Sequence, residues 1–196
     1  MTNMTALVAR TGREQQRYEH GYRLVAGRCI PYRYKEEVYT HNPEQTLEVL
    51  MVTSQRGKGR LFPKGGWETD ETLEEAACRE ALEEAGVRGQ LKMQAYLGSW
   101  EFKSKRQQGL SSPEGLCRAH MFALAVTEQL DSWPEQQSRR RQWFSAAEAI
   151  EHCCHEWMRR ALIKFLANLA SSSSSPSLAL SSSEDSSNQV DEDQSA

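Results

Sequence analysis

The chain has 196 residues, 24 of them basic and 27 acidic, with a formal charge of −3 and 38% hydrophobic side chains, which allows one ordinary domain with a real core and something extra. No apolar run approaches the roughly 18 residues of a membrane span and no signal peptide is present. Five cysteines, an odd number without a C-x-x-C pair, argue against a disulfide framework and a zinc site, and point to reduced thiols inside the cell, in cytoplasm or nucleus.

Residues 1–17 read as an N-terminal segment. Positions 1–9 carry no acid, and Arg10, Arg13 and Arg17 follow, a pattern that leaves a mitochondrial leader open. β-type runs rich in branched and aromatic residues occupy Tyr22–Ile30 and Leu47–Val52, separated by a loop at Tyr34–Thr46 long enough to be functional. A tight turn, Pro63-Lys64-Gly65-Gly66, leads into a predicted helix over Asp70–Ala85. Asp70 or Thr72 can cap it, Thr72 with Glu75 in a capping box, and Gly86 supplies a left-handed stop. Further β-type runs follow at Leu91–Phe102, Arg118–Val126 and Gln142–Ser145, with a long loop at Ser104–Leu116. Helices are predicted over Ser145–Cys153 and His155–Leu169, the latter with Met158, Ala161, Leu162, Phe165 and Leu169 on one face. Strands interleaved with helices predict an α/β fold, a mixed sheet covered on both sides, over residues 18–170. From Ser171 onward 12 of 26 residues are Ser, five are acidic and none is basic. Such a composition cannot offset its chain entropy by burial, so 171–196 is expected to be a disordered tail. Without it the chain carries +2.

The helix over 70–85 holds the chemistry. At 100° per residue Leu73, Ala76, Ala77, Glu80 and Glu84 fall on one stripe, with Glu83 at its edge. Acids therefore sit where a core face should be. A carboxylate there is costly unless it is compensated, and several stacked at i, i+3 and i+4 repel one another. Oxygen-rich sites of this kind suit Mg²⁺ or Mn²⁺, which share their coordination with water and substrate phosphates. Glu74 and Glu75 read as solvated.

Gly65, five residues, Glu71, seven residues, Arg79-Glu80-Ala81, one residue, Glu83-Glu84, one residue, Gly86-Val87 resembles the Nudix box, the loop-helix-loop motif of Nudix hydrolases. Only Ala81 departs in size, standing where a bulkier aliphatic is common. Arg13 to Gly27, Leu47 to Phe62, Trp100 to Lys105 and Trp133 to Phe144 are similar to plant Nudix proteins related to diphosphoinositol polyphosphate phosphohydrolases. The resemblance implies the α/β/α Nudix sandwich. It also implies metal ligation by Glu80, Glu84 and the Gly65 carbonyl, with Glu83 as general base or water-orienting carboxylate. Arg79, Glu71 and Gly86 would be structural members of the box. Substrate phosphates would be met by Arg17, Arg23, Ser54, Gln55, Arg56, Arg118 and Arg139. Pro63-Lys64-Gly65-Gly66 stands where those enzymes run three glycines, and the loop from Lys103 to Leu116 is longer.

The implied partner is a small-molecule polyphosphate, such as a diphosphoinositol polyphosphate or a diadenosine polyphosphate. Cations gather at strand ends and loops in keeping with this. Alternatives are a hydrolase of the ADP-ribose or NADH type, which would need an aromatic sandwich for adenine, and a non-catalytic polyphosphate sensor. Trp100, Trp133, Trp143 and Trp157 read mainly as packing. Gly57-Lys58-Gly59 lacks the spacing of a phosphate loop. Arg139-Arg140-Arg141 is a weak nucleic-acid patch with no RNA-binding motif beside it. His152-Cys153-Cys154-His155 reads as a helix turn, since adjacent positions point apart.

Overall fold

The computed structural model describes residues 8–12, 14–19, 22–35, 47–54, 59–103 and 116–173, with the backbone alone at 19, 22–27, 103 and 173. The elements are β1 (Tyr18–Glu19), β2 (Tyr22–Tyr34), β3 (Leu47–Thr53), β4 (Arg60–Leu61), α1 (Leu73–Ala85), β5 (Val87–Gln90) and β6 (Tyr96–Lys103), then β7 (Leu116–Gln129), β8 (Arg141–Ser145), α2 (Ala146–His152) and α3 (Glu156–Ser173). Loop residues 36–46 and 104–115, and positions 174–196 of the expected tail, lie outside the described residues.

The centre of the sheet is a parallel pair, β2 beside β7, running from Arg23 opposite Cys117 to Tyr32 opposite Ala125. All other pairings are antiparallel: β1 and β3 on β2, β4 and β8 on β3, and β5 and β6 sharing β7. Strands buried on both faces need apolar residues at every position, and side-chain alternation then sorts them. Cys29, Leu50, Val52, Phe122 and Leu124 face one layer, with Ala77, Ala81 and Ala85 of α1. Their neighbours Ile30, Val49, Met51, Met121 and Ala123 face the other, with Met158, Ala161, Leu162 and Phe165 of α3. The predicted stripe of α3 is thus its core face, and the molecule is the expected α/β/α sandwich.

Two predicted boundaries change. The run over Leu91–Phe102 divides, because residues 91–95 turn between β5 and β6. α3 continues to Ser173, where the Ser171 and Ser172 hydroxyls donate to the carbonyls of Ala167 and Asn168 at 2.9 Å. Its last turn therefore runs past the domain end expected at residue 170. Among the described residues, no helix is long and apolar enough to cross a membrane.

Candidate active site

Thr72 caps α1 as expected: its hydroxyl accepts from the Glu75 backbone N–H at 3.1 Å while the Glu75 carboxylate accepts from the Thr72 N–H at 2.8 Å. At the other end Gly86 adopts φ 61° and ψ 39°, and a β-carbon there would also run into Arg141 and Trp133. The last turn of α1 has no basic residue of its own. Arg141 supplies one from β8, donating to the carbonyls of Ala85 and Gly86 at 2.9 and 3.0 Å and to that of Leu130 at 2.6 Å, while it stacks on Trp133. This is where a cation is favoured by the helix dipole.

Seen from the sheet, the core stripe of α1 is Leu73, Ala77, Ala81 and Ala85, displaced from the predicted one. Small Ala81, fully buried, lets the helix sit close. Glu80, Glu83 and Glu84 flank this stripe and are buried too, at 7%, 6% and 3% exposure. Burial, then the charge of Glu84, pushes the Glu80 carboxyl up to about 8. Burial raises Glu83 and Glu84 as well, against Arg79 in one case and Lys64 and Arg139 in the other.

Arg79 organises the loop. It donates from Nε to Glu71 Oε2 at 2.8 Å, from Nη2 to Glu71 Oε1 at 2.7 Å and to the Gly66 carbonyl at 2.9 Å, and from Nη1 to Glu80 at 2.6 Å. Burial alone would lower its pKa, but the carboxylates outweigh that and raise it. Glu71 also accepts from the Glu68 N–H at 3.0 Å. The two side chains thus form a two-pronged, charge-assisted pair that ties the loop to α1.

Glu84 is met by two cations. Arg139, 4% exposed, donates to it from Nη2, to Glu135 from Nε at 2.7 Å and to the Thr53 carbonyl from Nη1 at 3.0 Å. The Lys64 N–H donates to Glu84 Oε2 at 3.1 Å, and its ammonium lies 4.0 Å from Oε1. Burial lowers the Lys64 pKa, and Arg28 and Arg139 are near enough to add to the effect. Arg28 itself is 5% exposed and lies over the neighbouring rings of Phe102 and Trp157, 4.5 and 4.2 Å from their centres. Sequence reasoning passed over Arg28, although a charge inside the apolar run Leu24–Tyr32 was a visible signal.

The residues expected to meet substrate phosphates are distributed differently. Arg139 is turned toward Glu84, and Arg17 toward the loop, donating to the carbonyls of Glu68 and Thr69 at 3.1 and 2.8 Å and stacking 4.3 Å above Trp67. Both guanidiniums are engaged by the protein. Arg118 pairs with Glu101 across β6 and β7 at 3.1 Å. Ser54 follows β3, its N–H donating to the Gly59 carbonyl at 3.2 Å. Gln55, Arg56 and the side chain of Arg23 lie outside the described residues. The arginine run splits three ways: Arg139 buried, Arg140 exposed, Arg141 on the end of α1. His152 packs on Phe144 and His155 on Trp157, with Cys153 buried and Cys154 exposed, so these four neighbours do not converge.

Whether the residues suit a divalent cation is answered by the Gly65 turn. A β-carbon on Gly65 would overlap the Glu80 carboxylate, so the loop backbone and that carboxylate share one small space. An all-oxygen set of Glu80, Glu84 and the Gly65 carbonyl, with buried carboxylates that resist ionising, fits Mg²⁺ or Mn²⁺. Among the described residues no three His, Cys, Asp or Glu side chains surround one point, while Arg79 holds Glu80 and Arg139 holds Glu84.

Comparison with known proteins agrees with this geometry. The model of the NUDIX domain matches residues 37–166. Nudix hydrolase 16, mitochondrial, of Arabidopsis thaliana is 57% identical over 163 residues, covering 82% of this chain and 89% of the relative. Diphosphoinositol polyphosphate phosphohydrolase 3-alpha of Mus musculus is 38% identical over 117 residues, 58% of this chain and 65% of that protein. A solved Ap4A hydrolase of C. elegans superposes with a TM-score of 0.58 at 19% identity, covering 76% of this chain and 98% of the other.

Proposed function

The chain belongs to the Nudix hydrolase family, and from that membership we propose that it hydrolyses phosphoanhydride bonds in highly phosphorylated small molecules, diphosphoinositol polyphosphates or diadenosine polyphosphates, with Mg²⁺ or Mn²⁺. The observation that carries the reading is the packing of Glu80 against Gly65, with Glu83 and Glu84 buried beside it. Glu80, Glu84 and the Gly65 carbonyl hold the cation, which when bound supplies positive charge against the diphosphate and the departing phosphate. Glu83 orients the attacking water and takes its proton. Arg79 keeps Glu80 and the loop aligned, and Arg139 fixes Glu84. Lys64, with Arg28 behind it, faces substrate charge from the side of Glu84.

Among the described residues the tryptophans speak for a polyphosphate over an adenine sandwich. Trp67, Trp133, Trp143 and Trp157 lie under Arg17, Arg141, Arg33 and Arg28, and Trp100 packs against the core. The mouse relative and the Ap4A hydrolase support the same substrate class. Mitochondrial relatives support a leader, for which acid-free residues 1–7 are available.

The test is product release by the purified chain with Mg²⁺ or Mn²⁺ on a diphosphoinositol polyphosphate, diadenosine penta- and hexaphosphate, ADP-ribose and NADH, with Glu83→Gln as control. Turnover of the first two classes, abolished in the variant, is expected. Preference for ADP-ribose or NADH would overturn the substrate class, and tight binding without turnover would make the protein a sensor.

A further inference from the structure

The sequence before the first strand does more than lead into the domain. Residues 14–17 lie along the turn that precedes α1: the Arg17 N–H donates to the Trp67 carbonyl and the Thr69 N–H to the Gln15 carbonyl, both at 2.9 Å, and Gln16 bridges Glu68. The Thr69 hydroxyl adds a bond to Gln15 Oε1 at 2.7 Å. A β-carbon on Gly66 would run into the Gln16 side chain, so this second glycine of the turn is accounted for by the N-terminal segment lying against it. Further upstream Arg10 Nη1 lies 2.5 Å from Glu68 Oε2, 2.9 Å from Asp70 Oδ1 and 4.0 Å from Glu71 Oε2.

One short segment therefore grips the Glu68–Glu71 turn at several points. Glu83 is held by Arg79 at 3.4 Å, a long contact, and Arg79 is itself held by Glu80 and Glu71. A carboxylate that must aim at one water needs its rotamer fixed, and a misplacement of about 1 Å costs on the order of 100-fold in rate. Arg10, anchored on Glu68 and Asp70, keeps the turn in place, and with it Glu71, the carboxylate that orients Arg79.

We propose that residues 8–12 and 14–17 form a positioning strap for the reaction, with Arg10 as the residue that locks the Glu68–Glu71 turn, and through Glu71 and Arg79 the Glu83 carboxylate, into working geometry. This rests on the role given above to Glu83. It follows that the functional unit includes Arg10, upstream of the boundary expected at residue 18. Cleavage after Arg10 would leave a folded protein with a lowered kcat.

The experiment compares the full chain with Δ1–7, Δ1–12, Arg10→Ala and Arg10→Lys. It measures kcat and KM on the best substrate of the panel above, melting temperature, and amide hydrogen exchange over 67–71. Expected are unchanged kcat for Δ1–7, a fall of roughly 10- to 100-fold in kcat with KM within about twofold for Δ1–12 and Arg10→Ala, and recovery of most of it by Arg10→Lys. The Thr69 amide should exchange faster in the two inactive forms while the melting temperature holds. A kcat within about twofold of the full chain in Arg10→Ala, or a loss in Arg10→Lys equal to that in Arg10→Ala, would overturn the strap. If the full chain turns over none of the panel, the hydrolase reading fails. The strap is then judged by exchange: faster exchange at Thr69 in Arg10→Ala upholds it and unchanged exchange overturns it.

Discussion

Replacing Glu80 by Gln should make the metal-free protein more stable at neutral and alkaline pH while destroying its metal site. In the folded chain the Glu80 carboxyl, ordinarily near 4.5, is pushed up to about 8 by burial and by Glu84. An acid whose folded pKa is raised holds its proton more tightly when folded, so the stability it contributes is complete below pH 4.5 and is lost as the pH climbs toward 8. At about 1.4 kcal/mol per unit, the loss between pH 4.5 and pH 8 is about 4 kcal/mol. For a domain of this size that is on the order of 10 °C in melting temperature. Thermal melts in EDTA from pH 5 to 8 should fall steeply for the natural chain and less steeply for Glu80→Gln. Added Mg²⁺ should restore the natural chain at pH 8, because a cation favours the ionised form, and should restore the variant little. Parallel pH curves for the two proteins would refute the argument that Glu80 is held under strain for a cation.

Glu83→Gln should lower kcat by roughly 100- to 10,000-fold with the melting temperature nearly unchanged, checked by steady-state rates and calorimetry. Gly65→Ala should weaken Mn²⁺ binding, measured by calorimetric titration, because its methyl overlaps the Glu80 carboxylate; an unchanged affinity would remove the Gly65 carbonyl from the site. Arg79→Ala leaves buried Glu71 without its two-pronged partner and should cost about 3–5 kcal/mol in denaturant melts. Deleting residues 174–196, beyond the end of α3, should leave activity and melting temperature as they are.

What was readable in the sequence is what is encoded within one turn or one strand. Thr72 with Glu75, and Gly86, depend only on neighbours along the chain and cap α1 as expected, while Glu80, Glu83 and Glu84 are buried beside the core stripe rather than on it. The short strand Val87–Gln90 escaped notice because its sequence, Val-Arg-Gly-Gln, has no β-type pattern. Gly89 is there because a β-carbon would meet the Ala125 carbonyl of β7, a constraint that exists only after β5 and β7 pair.

The partners of the cations were hidden for the same reason. Arg139, Arg140 and Arg141 are alike in sequence, yet the first is buried on Glu84, the second is exposed and the third covers the carbonyls of Ala85 and Gly86. Their fates follow from the pairing of β8 with β3. That pairing carries the chain start of β8 past the end of α1, where Glu135 N–H donates to the Glu83 carbonyl and Leu130 N–H to that of Gly86. A carboxylate cluster announces itself locally because its members share one helix. The cations that balance it include Lys64 and Arg139, 20 and 55 residues from Glu84 along the chain, and only the topology of the sheet says which cations they are.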